Sequence, residues 1–151
     1  MIVGANFDLV LRALDLAKSA PLELAAKLID NALEDAVSCF DGFGREHCAT
    51  QPFKLSFQSI EGAKDKLLRE TGFDLAASLD AGARGFVKEQ FQKRHLLAHK
   101  LGIIDADYVG KTGCAQSLLG RKVTITDCDV RVLVAHLRTL ASALYHGVSR
   151  I

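Results

Sequence analysis

Apolar residues recur at intervals of three and four through most of the chain, the period of one helix face rather than the alternation of a strand. The spacing predicts a short amphipathic helix over residues 7–18 and a long one opening near Pro21, whose fixed φ suits a first turn. In the long helix Leu24, Leu28, Leu33, Val37 and Phe40 face inward, and the turn-like Asp41, Gly42, Phe43 and Gly44 end it. After a loop around residues 50–52, a third helix over 57–72 stops at Gly72, a natural C-cap. A fourth helix runs over 74–101. It leads into a turn, an Asp105 N-cap and one short helix. Residues 120–126 alternate enough for a short extended piece, and Asp127 or Asp129 can cap a last helix striped by Val130, Val134, Leu137, Leu140 and Leu144. The expected fold is all-α, a bundle of four to five helices with a short extended segment before the last one.

The fourth helix carries more apolar surface than one core contact uses. Steps of about 100° put Leu75, Leu79, Ala83, Phe86, Gln90, Leu97 and Leu101 on one broad face. Val87, Phe91 and Ala98 form a second strip bordered by His95. A second apolar strip calls for its own cover, from another helix of the bundle or from a second copy of the chain. The latter makes a two-fold dimer through Val87, Phe91 and Ala98 the expectation.

At 151 residues the chain has the length of one domain with a core of its own, and nothing in it resembles a repeat or linker. Nineteen basic and eighteen acidic residues leave a net charge of +1, so any attraction for a polyanion has to come from a local patch. Proline is scarce, which agrees with the helical pattern. Cys39, Cys48, Cys114 and Cys128 show no paired spacing, which favours reduced thiols and a cytoplasmic setting. The apolar start is broken by Asp8, Arg12 and Asp15 and is too short to cross a bilayer, so no membrane partner is expected.

A local patch exists near the end of the fourth helix. His95 and His99 are four residues apart and share a face, and Lys88, Lys93, Arg94 and Lys100 surround them with only Glu89 in opposition. Three readings fit this pattern. It is a solvated basic helix end, which also suits the helix dipole. It is half of a zinc site, although the segment lacks the glutamate of the HExxH pattern and offers no third ligand. Or it performs acid–base chemistry on a phosphodiester, with a histidine moving protons near neutral pH and an arginine holding phosphate oxygens. RNA supplies its own nucleophile, the 2′-hydroxyl, so the third reading requires no metal or cofactor.

The stretch RHLLAH at residues 94–99 resembles the Arg-x4-6-His motif of HEPN domains (higher eukaryotes and prokaryotes nucleotide-binding), including the polar residue after the arginine. Its continuation, KLGIIDADYVGKTG, is similar to the extended form in prokaryotic groups of the family, where the helix leads into a glycine turn, an Asp and a Tyr. The likeness runs from about Pro21 onward and leaves residues 1–20 outside it, as a cap, a dimer arm or the end of a linker from a longer protein. The resemblance implies a dimeric helical bundle and a metal-independent endoribonuclease of a defence or toxin–antitoxin system. Alternatively, it implies a non-catalytic module that binds nucleotide, RNA or a protein partner such as an antitoxin.

Carried over residue by residue, the catalytic set is Arg94, His99 and His95, with Lys93 and Lys100 as substrate-binding neighbours and no metal ligand. Arg94 and His99 diverge by about 140° on the wheel, so the working site is expected to be shared between two protomers. Tyr108 lies too far past His99 to match the family's His-x-x-Tyr extension. Arg45, Glu46 and His47 follow the predicted end of the second helix and read best as a solvated loop, with a place beside the cleft as the alternative.

Overall fold

A computed structural model of the protein describes residues 2–148, and these are helical almost throughout. In chain order the helices are α1 (Ile2–Ala17), α2 (Leu22–His47), α3 (Ile60–Thr71), α4 (Ala81–His99), α5 (Ala106–Thr112) and α6 (Asp127–Gly147), with 3₁₀ turns at Leu75–Ser78 and Gln116–Leu118. Among the described residues the one β-type pairing is an isolated antiparallel bridge between Ile103 and Lys122. It lies in the extended piece expected ahead of the last helix. No described helix is long and apolar enough to cross a membrane.

α1 is longer than its pattern predicted and belongs to the core rather than to an arm. Val3, Phe7, Val10, Leu14 and Ala17 are all buried, Phe7 and Leu14 completely. Asp8 and Asp15 tie the same helix to Arg138 and Arg131 of α6.

α2 runs straight through Asp41–Gly44, where the sequence suggested a stop. Tertiary contacts decide this against local propensity. The buried Asp41 carboxylate accepts from the Phe57 backbone N–H at 2.7 Å and faces Arg45 at 3.2 Å. Gly44 has to lack a side chain because a Cβ there would collide with the Phe57 ring, which in turn packs edge-on against Phe40. Residues 45–47 are helical too, and His47 is buried, its Nε2 at 2.7 Å from the Val148 carbonyl. At the other end of α2 the inward pattern begins later than expected: Leu24 is exposed, while Leu33, Val37 and Phe40 are fully buried.

The predicted fourth helix is two elements. Asp74 caps the 3₁₀ turn by accepting from Ala76, Leu79 is extended, and Asp80 starts α4 by accepting from Ala83 at 2.8 Å. At α6 the cap is Thr126, not either aspartate: its hydroxyl accepts from the Asp129 N–H. Asp127 instead pairs with Arg131 one turn on. The Asp105 cap of α5, the left-handed Gly72 end of α3 and all five stripe residues of α6 are as the pattern predicted.

Most of the buried apolar residues form one cluster spanning α1, α2, α3, the middle turns of α4, and α6. Leu96, Ile104, Tyr108, Val109 and Val123 form a second, smaller cluster.

Candidate functional site

The last turns of α4 stand where the two clusters meet. Val87 and Phe91 are buried in the main core of the same chain, so the strip expected to pair two copies is already covered. Ala98 is its one exposed member. Leu101, placed on the core face by the wheel, is 86% exposed because the helix ends two residues before it.

That ending is unusual. Leu101 and Gly102 both have positive φ, at 55° and 76°. Glycine adopts this region freely, but a leucine there is strained. The Gly102 N–H reaches back to the Leu96 carbonyl at 2.9 Å. Residues 102–104 are then laced to 120–123 by Val123 N–H to Gly102 O, Ile104 N–H to Arg121 O and Gly120 N–H to Ile104 O, each at 2.8–2.9 Å. The small cluster of Leu96, Ile104, Tyr108, Val109 and Val123 fills the space beneath.

The residues singled out by sequence divide into two groups. His95 and His99 are exposed, their rings 4.8 Å apart and tilted by 53°. Lys100 is exposed beside them as the C-cap of α4. Arg94 turns towards α2, where its Nε lies 3.1 Å from Glu34 Oε2, and only 12% of its side chain is exposed. Lys93 is committed to the fold: its ammonium donates to the Thr124 carbonyl at 3.0 Å and lies 3.5 Å from Glu89 and 3.9 Å from Asp129. It joins α4 to the extended segment and to the first turn of α6 and has little surface left for a ligand.

Three neighbours were missed by sequence reasoning. Arg121 and Lys122 are exposed, and the bridge from Ile103 to Lys122 brings them to the turn that follows His99. The Lys122 stem lies close over Gly102. Their only signal was two adjacent basic residues in a segment read as structural. Glu34 was missed because its meeting with Arg94 depends on how α2 and α4 pack. Lys100, Arg121 and Lys122 make no ion pair among the described residues, so the turn that follows His99 and the segment bridged to it carry three unpaired basic side chains.

Gln90, one turn before Arg94, is 1% exposed, and its Oε1 has no hydrogen-bond partner. Burial holds the Tyr108 hydroxyl neutral, with its pKa pushed up to about 12, a shift to which Glu89 and Cys114 also contribute. Its ring packs in the small cluster with Leu96, Ile104, Val109 and Val123. Among the described residues no group of three His, Cys, Asp or Glu side chains is placed to hold a metal. Chemically, the arrangement offers an exposed pair of imidazoles, unpaired basic side chains and an arginine restrained by a carboxylate.

No family model matches the chain, and comparison with curated proteins and with solved structures finds no match.

Proposed function

We propose that the protein is a metal-independent endoribonuclease of the HEPN type, acting in the cytoplasm in a defence or toxin–antitoxin setting. The observation that carries the reading is the exposed His95–His99 pair, on the stretch of α4 that also holds Arg94 and ends at the exposed Lys100. His99 acts as general base or acid towards the 2′-hydroxyl, and His95 orients it or binds phosphate. Arg94 stabilises the charge that builds on the phosphate, once RNA has drawn it from Glu34. Lys100 contacts the flanking phosphates. The reading carries a homodimer and an inhibitory protein partner with it.

A second reading is favoured by the Arg94–Glu34 pair itself. An arginine already held by a carboxylate suits a non-catalytic module that binds RNA, nucleotide or protein on the same surface. The test is incubation of the protein with varied RNAs in excess EDTA. Cleavage that leaves 2′,3′-cyclic phosphate ends, and that falls by about 10²–10⁴-fold in His99→Ala, is the expected result. Binding without cleavage across those RNAs assigns the module reading instead, and activity that needs added zinc overturns the proposed chemistry.

A further inference from the structure

The opposite face of α1 is apolar as well, and the fold leaves it bare. Ile2, Leu9 and Leu16 recur at seven-residue intervals and are 82%, 59% and 67% exposed. Ala5 and Ala13 flank them on the same side of the helix, and both are small enough for another backbone to come close. Leu22 and Leu24, also exposed, follow just beyond the turn into α2. A heptad line of large aliphatic residues is the seam that one helix offers to another. A contiguous exposed patch of this kind marks an interaction surface.

The order of residues along the seam names the occupant. Read outward from Leu9, the line runs alanine and then a large aliphatic residue in both directions: Ala5 and Ile2 one way, Ala13 and Leu16 the other. A two-fold axis through Leu9 therefore superimposes the seam on itself, with Leu9 against its own copy and Ile2 against Leu16 of the second chain. Such self-complementarity is the requirement of an isologous interface.

Charge agrees with the antiparallel arrangement. Arg12, at the edge of the seam, makes no ion pair among the described residues. Antiparallel pairing brings it beside Asp8 of the other copy, whose carboxylate holds Arg138 yet stays 68% exposed. A parallel pairing sets Arg12 opposite Ala13 and gives it no partner.

We infer that two copies of this chain associate through antiparallel α1 helices, with Leu9 at the two-fold axis. The ribonuclease reading also carries a homodimer, but this interface stands on α1 alone: the seam uses no residue of α4, and its tests do not depend on RNA cleavage. Light scattering at micromolar concentration should give a dimer, and Leu9→Glu should weaken it by more than about 100-fold, because the axis would bury two facing carboxylates. Leu9→Glu should still fold to a helical monomer, since Leu9 adds little to the core of its own chain. In a background with the four native cysteines replaced by serine or alanine, Leu9→Cys should oxidise to a covalent dimer. There, Ile2→Cys should cross-link with Leu16→Cys in a mixture faster than either does with itself. A monomeric wild-type protein overturns the inference, as does a dimer that Leu9→Glu leaves intact. Faster self-linking of Ile2→Cys overturns the antiparallel arrangement.

Discussion

The middle and the end of α4 are built differently. Its middle turns belong to the main core: Val87 and Phe91 pack into the cluster that also holds Phe7, Phe40, Leu133 and Leu137. Its last turn is shared: Leu97 packs against the main cluster, while Leu96 belongs to the small cluster with Ile104, Tyr108, Val109 and Val123, and a short lacing of backbone bonds joins 102–104 to 120–123. The histidines belong to this second region. A region carried on a small cluster beside a large one is expected to open locally before the whole chain unfolds, since fewer buried contacts hold it. The strained Leu101 lies in the same region, in the turn that follows His99.

Deleting packing from each region is the strongest way to break the comparison. Leu137→Ala empties a fully buried position of the main core and should cost about 2–5 kcal/mol, lowering hydrogen-exchange protection in every helix. Leu96→Ala should instead speed exchange of amides in 102–123 well before it affects α1 or α2. Equal loss of protection across the whole chain in Leu96→Ala would show one cooperative unit and remove the distinction.

This division was only partly legible in the sequence. The α6 stripe and the Asp105 cap could be read because periodicity and a side chain bonding its own first turn are local properties. The passage of α2 through Asp41 and Gly44 could not, because it depends on Phe57, which reaches back across a loop. Nor could the burial of Val87 and Phe91: a helical wheel counts apolar strips but not the neighbours that cover them. At the candidate site the exposed histidines were legible as polar residues off the core face. The inward commitment of Lys93 to Thr124 was not, since lysine is ordinarily a surface residue and its acceptor is a backbone carbonyl 31 positions away.

Lys93 gives a sharper test of how the regions are joined. Lys93→Met keeps the aliphatic stem but removes the bond to Thr124 and the attraction to Glu89 and Asp129. Loss of this charge-assisted bond should cost about 1–3 kcal/mol, less than the Leu137 cavity. The effect should be concentrated in 102–126, measured as faster exchange there with a smaller fall in the global melting temperature. An unchanged exchange pattern would mean that the lacing between 102–104 and 120–123 holds the region without the lysine.

The effect confined to the narrowest conditions comes from pH, and it touches the second region alone. Tyr108 is 4% exposed within the small cluster, and its hydroxyl ionises near pH 12 in the folded protein against about 10 in an unfolded chain. Between those values the unfolded chain gives up a proton that the folded one retains. The unfolded state therefore binds fewer protons, and stability falls as pH rises through this window. Below pH 10 both states keep the proton, and Tyr108 contributes no slope. Tyr108→Phe preserves the ring and removes the ionisation, so it should flatten the part of the decline between pH 10 and 12 that belongs to this group. Denaturant unfolding of both proteins across that range measures the difference. If the two curves run parallel, the small cluster is already open to water at high pH, and the hydroxyl ionises without waiting for the protein to unfold.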